Sequence, residues 1–412
     1  MRLPGEPPVH LSYCTNIHPA ESWSELRRVL EVAVPGVRDR VPHEGPFGVG
    51  LRVSARAASE LASAARLREL REILDRHGLY VFTLNGFPYG AFHGAPVKER
   101  VYLPDWRAPE RLSYTNELAT LLAELLPEGV DGSISTVPGA LRSAVTQPDQ
   151  IEAIADALVA HAAHLYRIRG ERGRLVELAI EPEPGCLFET TQEAVAFVSE
   201  VLPAGGRIAR FAGEIGLGLE DAEEVLRRHV GLCLDACHAA VQSEDPEASV
   251  DAAARAGVRI GKIQVSAGLR LRLEGEPALD APRLESLMAF ADDVYLHQVV
   301  ERSARGVRRW LDLGEAIRAA GGDPELPRTW HVHFHVPVFA DRIEPFESTR
   351  DATHRLLELQ ALRGITSHLE VETYTWGVLP AEHRVEPVEA AIARELQWTS
   401  SVLDAARGDD PP

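Results

Sequence analysis

Three histidines alternate with three apolar residues in His331-Val332-His333-Phe334-His335-Val336. Successive side chains of a strand point to opposite faces, so this segment predicts one face of imidazole and one of hydrocarbon. Imidazole is the commonest metal ligand and titrates near neutral pH. Such a strand suits a sheet that packs on helices outside and lines a polar pocket inside. Carboxylates stand at the ends of other predicted strands. Glu181 closes one, and Asp235 closes another with His238 three residues on. Glu370 and Glu372 share one face of the last, and Lys262, Gln264 and Ser266 share a face of the strand before the histidine run. Carboxylates gathered without a cation repel and protonate. A divalent metal resolves that conflict, and mixed oxygen and nitrogen ligation suits manganese, magnesium, cobalt or zinc.

The elements that must position these groups follow from the hydrophobic pattern. Short apolar runs at 9–15, 47–53, 79–84, 132–136, 174–180, 231–234, 259–265 and 368–374 alternate with amphipathic stretches at 21–34, 54–77, 110–126, 150–169, 248–256, 348–363 and 388–406. That alternation argues for βα units and a parallel sheet. Ser54 is placed to cap its helix, and Gly78 to stop it. Eight such units predict a single α/β domain, a (β/α)8 TIM barrel with the site at the C-terminal strand ends. The barrel is expected to span 1–407, with an insertion at about 268–328 and a disordered tail at 408–412. Runs at 294–300 and 307–311 read as a hairpin, and 331–337 as a further strand. The stretch 85–109 is long for a βα loop and suits a lid, with Phe87, Tyr89, Phe92, Tyr102 and Trp106 able to cover a ligand.

Bulk composition narrows the function. The chain has 412 residues, 45% hydrophobic and 25% charged, which is ordinary globular composition with enough length for a large core. The net charge of -19 repels phosphate backbones and anionic membranes, which argues against a nucleic-acid partner. No apolar run approaches the roughly 18 residues of a membrane span, and the first residues lack a signal-peptide plan, so a soluble cytoplasmic protein is expected. Cys14, Cys186, Cys233 and Cys237 form no Cys-x-x-Cys pair and read as buried thiols. Of 43 basic residues only Lys98 and Lys262 are lysine, and asparagine occurs only at 16, 85 and 116. Survivors of so strong a bias mark places where a compact ammonium does what arginine's planar fork cannot.

Leu178-Ala179-Ile180-Glu181-Pro182-Glu183-Pro184 resembles the metal-ligand strand of the xylose isomerase-like TIM barrels (the sugar phosphate isomerase/epimerase superfamily), and Asp235-Ala236-Cys237-His238 resembles their Asp-x-x-His element. Gly261-Lys262-Ile263-Gln264-Val265 stands where that superfamily carries a histidine. Gln264 therefore takes the place of a ligand, and one of His331, His333 and His335 is expected to supply it instead. Further stretches resemble the family called metabolite traffic protein EboE: His10 to Pro19, Asn85-Gly86-Phe87-Pro88-Tyr89-Gly90, Val97-Lys98-Glu99-Arg100-Val101-Tyr102, Gly132-Ser133-Ile134-Ser135-Thr136, and His368 to Trp376. The resemblance implies a divalent metal held among Glu181, Asp235, His238, Gln264, His333, His335 and Glu372. It implies isomerase or epimerase chemistry, with Glu181 and Glu372 as catalytic carboxylates, in the trafficking of secondary-metabolite precursors beside a membrane prenyltransferase-like partner. Asn16, His18, Asn85 and His93 are then candidates for hydroxyls of a small polyhydroxylated metabolite, and Arg52, Lys98 and Lys262 for an anionic group on it. A metabolite carrier on the same barrel and a metal-dependent phosphodiesterase are the alternative readings.

Overall fold

The apolar runs pair as the pattern requires. The computed structural model describes residues 1–4, 8–320 and 326–408. Its strands are β1 (Arg2–Leu3), β2 (Val9–Tyr13), β3 (Phe47–Arg52), β4 (Leu79–Asn85), β5 (Gly132–Thr136), β6 (Val176–Ile180), β7 (Val230–Asp235), β8 (Ile260–Val265), β9 (Leu269–Leu273), β10 (Val299–Ser303), β11 (Gly306–Trp310), β12 (Arg328–Val332), β13 (Arg342–Ile343), β14 (Phe346–Ser348) and β15 (His368–Val371). Strands β2 through β8 and β15 are parallel to their neighbours. A parallel bridge between Cys14 and Gly50 joins β2 to β3 and closes the ring. Eight parallel strands with helical crossovers make the TIM barrel. The short β1 adds to β2 in antiparallel pairing.

Local sequence explains the helices. Ser54 accepts the Ala57 amide and caps Ala55–Leu61, and Ser22 with Glu25 forms a capping box at Trp23–Arg28. The run expected as one helix from 54 to 77 is two, Ala55–Leu61 and Ala64–Arg76, because Ser63 starts the second in extended backbone. The final helix, Val388–Arg407, ends on Gly408 in the left-handed conformation (φ 78°). The rest of the expected tail lies outside the described residues.

The insertion is larger than the sequence reading placed it. Residues 266–349, between β8 and the helix Arg350–Arg363, carry a second, antiparallel sheet in the order β11-β10-β12-β9-β14-β13. The expected histidine-bearing strand at 331–337 belongs to this insert. Its ladder stops at Val332, where the Phe334 amide bonds back to the Val332 carbonyl at 2.9 Å and makes a three-residue turn at His333. The alternation therefore breaks. His331 stays on the half-buried face of β12 beside the Ser243 hydroxyl. His333 and His335 follow the turn and line the cavity at the barrel mouth, while Val332, Phe334 and Val336 are fully buried.

The barrel interior is polar where such barrels are usually filled by branched aliphatic residues. Ser12, Thr83, Ser133, Ser135, Cys233, Lys262, Gln264 and Glu370 are all buried there. Lys262 Nζ donates to Glu370 Oε2 at 2.6 Å, with both side chains wholly buried. Glycine makes the room: a Cβ at Gly50 would stand 1.8 Å from Glu370 Oε1, and one at Gly231 would stand 2.3 Å from Glu177 Oε1.

Candidate metal centre

Each ligand candidate from the sequence can be followed to its place. Glu181 follows β6, Asp235 ends β7 and Glu372 follows β15. These three carboxylates offer oxygens within 4.8 Å of one another. All are buried. Asp235 Oδ1 is engaged, since it accepts the His238 amide and the Ser266 hydroxyl, each at 2.8 Å. Glu372 Oε1 accepts Asn16 Nδ2 at 2.5 Å and Asn85 Nδ2 at 2.9 Å. The other oxygens, Glu181 Oε2, Asp235 Oδ2 and Glu372 Oε2, are buried with no hydrogen-bond partner. Orphaned buried carboxylate oxygens cost free energy unless something charged meets them. Burial, then the neighbouring carboxylates, pushes the Glu181 and Glu372 carboxyls well above the usual range. A divalent cation fits this donor set, because it pairs all three oxygens and removes the repulsion.

Imidazoles complete the mouth. His238 Nε2 lies 3.0 Å from His333 Nε2, which lies 3.2 Å from His335 Nε2. His238 and His335 form a ligand-sized group with Asp235, and His238 and His333 form one with Glu183. Burial holds His335 down to about 4 and His333 well below the ordinary imidazole value, so both rings are neutral and free to ligate at neutral pH. Glu183 is the residue that sequence reasoning left without a role, although the Glu-Pro-Glu spacing was in view. Tyr102 Oη donates to its Oε1 at 2.7 Å and Gln298 Nε2 at 3.2 Å, and burial raises its carboxyl.

The remaining candidates divide. Asn16 and Asn85 line the cavity and fix Glu372. Gln264 sits lower in the barrel, where its Oε1 meets the Cys233 thiol at 3.1 Å, and it does not line the cavity. His18 is bonded to the Tyr13 hydroxyl, and His93 is half-buried against Phe92; neither lines the cavity. The three cations expected for an anionic group are each occupied. Arg52 pairs with Glu21 at 2.9 Å and donates to the Ala20 and Gly90 carbonyls. Lys262 belongs to Glu370, in the barrel below the carboxylates. Lys98 does line the cavity, but its ammonium goes to Asp312 Oδ2 at 2.7 Å and the Asp292 carbonyl at 2.8 Å.

That last contact explains the long loop. Val97 and Lys98 amides both bond the Val294 carbonyl, so the loop after β4 is fastened to the insert. Phe92 from the loop, Tyr295 from the insert and Tyr374 after β15 meet with ring centres 5.0–5.4 Å apart and roof the cavity. Phe87 and Tyr102 also line it. Tyr89 instead stands against Tyr114, and the Trp106 indole is bonded to Thr136. The space beneath these rings is about 50 Å³, room for a few waters and less than a sugar ring fills.

No protein-family model matches the chain, and no curated protein matches it. Solved structures similar to it include the IOLI protein with a bound zinc atom (14% identity, TM-score 0.43, covering 96% of this chain and 98% of that one). Others are a xylose isomerase-like TIM barrel/4-hydroxyphenylpyruvate dioxygenase fusion protein (14%, 0.45, 98% and 45%) and 3-keto-D-glucoside 4-epimerase YcjR from E. coli (16%, 0.33, 76% and 98%). At these values the likeness is one of general architecture. The barrel itself rests on the strand pairing described above, and shared architecture does not carry an activity across.

Proposed function

We propose that this protein is a metal-dependent isomerase or epimerase of an uncharged polyhydroxylated carbonyl compound. The observation that carries the reading is the trio of buried carboxylates, each with one orphaned oxygen, at three strand ends beneath a closable cavity. Glu181, Asp235 and Glu372 would hold a divalent cation. When bound, it supplies charge and Lewis acidity at the carbonyl oxygen beside which a proton is removed. Asn16 and Asn85 orient Glu372 through its Oε1. Glu183 lies outside the carboxylate trio, lines the cavity and is held by Tyr102 and Gln298, so it is placed to take the proton while Glu181 and Glu372 are engaged. A raised carboxyl pKa suits that task, since a base works best near operating pH. The Phe92, Tyr295 and Tyr374 roof excludes water from the reacting carbon.

The charge inventory selects the substrate. Three carboxylates, Glu181, Glu183 and Glu372, line the cavity, and among the described residues its one lining ammonium, Lys98, is already paired. A phosphate or carboxylate substituent would meet no free cation of the protein. The aromatic lining suits the C–H face of a sugar or cyclitol. The same inventory disfavours the phosphodiesterase reading. A carrier without turnover draws on the aromatic roof and on Gln264, which leaves the trio without the superfamily's histidine at that strand. The narrower reading, an EboE-type role in metabolite traffic with a prenyltransferase-like partner in the cytoplasm, rests on the sequence motifs alone. No described helix is long and apolar enough to cross a membrane.

The test is metal analysis of the purified protein, followed by deuterium wash-in from heavy water over paired panels of free and phosphorylated sugars and keto-cyclitols. Metal with exchange into an unphosphorylated compound is the expected result. Glu181→Gln and Asp235→Asn should lose metal, and Glu183→Gln should keep metal and lose exchange. Full metal occupancy in both of the first two variants would sink the ligand assignment. Exchange confined to phosphate esters would sink the substrate class, and ligand-induced stabilisation with no exchange anywhere would leave the carrier.

A further inference from the structure

We infer that the foot of the barrel holds a second ligand site, built for a small zwitterion of the α-amino acid type. A cavity of about 500 Å³ lies at the starts of β5, β6, β8 and β15, at the opposite end from the carboxylate trio. The space at the mouth is only about 50 Å³, whereas small-molecule pockets run to roughly 300–1,000 Å³. The walls at the foot are apolar, from Leu175, Val250, Val258 and Ile365, and Asp131, Glu177 and Arg259 bring charge to them. Glu177 is 5% exposed. Its Oε2 accepts Arg259 Nε at 3.1 Å, and its Oε1 has no hydrogen-bond partner. Two strand glycines admit this carboxyl: a Cβ at Gly231 would stand 2.3 Å from Oε1, and one at Gly261 2.9 Å from it. The foot of a TIM barrel ordinarily carries residues that serve stability. Glu177 does the reverse, since a buried carboxylate oxygen without a partner costs free energy. A destabilising group, with two glycines making room for it, points to something that it binds.

The charges select the ligand. Arg363 and Asp251 on the rim pair with each other at 2.8 Å. Arg259 donates to Glu177 through Nε alone, and among the described residues its two terminal nitrogens make no hydrogen bond. That free fork matches a carboxylate. The Asp131 carboxylate also makes no hydrogen bond among the described residues, and it stands near enough to Glu177 to help raise that carboxyl. Two carboxylates that repel each other invite an ammonium. An anion alone would meet both carboxylates, and a cation alone would meet Arg259. A molecule carrying the two charges a few bonds apart matches both, and the apolar walls then receive its side chain. His368 shares the cavity as a neutral ring, because burial holds it down to about 3. The titratable groups around Glu177 are thus Arg259 before β8, Asp131 before β5, the Arg363–Asp251 pair and the uncharged His368 on β15. Burial pushes the Glu177 carboxyl up to about 7, so an ammonium that binds there also displaces its proton.

The site is separate from the metal centre and does not depend on what happens there. The experiment is titration calorimetry of the full chain with the standard α-amino acids, each beside its N-acetyl and methyl ester forms. At least one free amino acid should bind, and blocking either of its charges should lower affinity about tenfold or more, the contribution of a hydrogen bond between charged groups. Affinity should rise about tenfold between pH 6 and pH 8 as the Glu177 carboxyl ionises. Glu177→Gln should weaken binding and remove that pH dependence. A second variant leaves the buried charges in place: Ala254 is exposed on the helix Pro246–Arg255 and lines the cavity. Ala254→Trp should block entry while melting temperature and metal content stay unchanged. Binding by none of the free amino acids, equal binding of a blocked form, or full affinity in either variant overturns the proposal.

Discussion

Replacing Lys262 with methionine isolates the charge pair inside the barrel. Its ammonium stands 2.6 Å from Glu370 Oε2, and neither side chain has any exposed surface. At an effective dielectric of about 20 the attraction is roughly 6 kcal/mol, most of it offset by the cost of taking both charges out of water. Removing one partner abolishes the attraction and leaves Glu370 charged and enclosed, with Oε1 already orphaned. Such a break costs about 3–5 kcal/mol. With an unfolding entropy of about 2.1 cal/mol/K per residue, a chain of 412 residues loses roughly 4–6 °C of melting temperature. The double variant Lys262→Met/Glu370→Leu removes both charges and should recover most of that loss, since apolar replacement of a buried pair is often neutral or better. The assay is calorimetry at pH 7 with chelator present, so that metal binding does not contribute to stability. A Lys262→Met chain as stable as the parent, or a double variant no better than the single, would refute the account of the pair. Because Lys262 lies below the site, the double variant should also keep its metal equivalents.

Glu177 gives a pH signature at the other end of the barrel. Burial raises its carboxyl to about 7, against about 4.5 when unfolded. The folded state thus holds the proton more tightly, and stability falls as pH rises from about 4.5 through 7. Glu177→Gln should match the parent near pH 4.5 and exceed it by on the order of 3 kcal/mol at pH 8 by urea unfolding; a gap that does not change with pH refutes this. Lys98→Met unfastens the loop from the insert, and loss of about 1 kcal/mol from a half-buried pair should speed metal removal by chelator about fivefold. Unchanged stripping kinetics would mean that the roof does not open at that contact. Tyr89→Ala should cost about 1–2 kcal/mol of stability through its ring contact with Tyr114 and leave metal affinity unchanged. Weakened metal binding would show that Tyr89 does face the site.

The barrel was legible because its signals are local. The run 132–136 is β5 to the residue, and 79–84 and 259–265 miss β4 and β8 by one residue at one end. Glu181, Asp235 and Glu372 were readable as a group once strand ends were known to share one mouth. The insert was harder, since antiparallel pairing between β9, β10 and β12 joins residues 25 to 63 positions apart and leaves no periodic mark that assigns it to a separate sheet. The histidine run shows the limit most clearly. Its composition announced ligation, but the turn at His333 depends on a hydrogen bond that the alternating pattern hides. Arg52, Lys98 and Lys262 attracted an anion-binding role because their types are scarce or charged. Their partners Glu21, Asp312 and Glu370 lie 31 to 214 residues away, out of reach of any spacing rule.

Glu372 receives the amides of Asn16 and Asn85, from 356 and 287 positions earlier in the chain, and it stands among the last strands to be made. A growing polypeptide thus lacks at least one of the three carboxylates until residue 372 of 412 has been added. On the proposed reading, a cation is seated among them only after β15 has closed the ring.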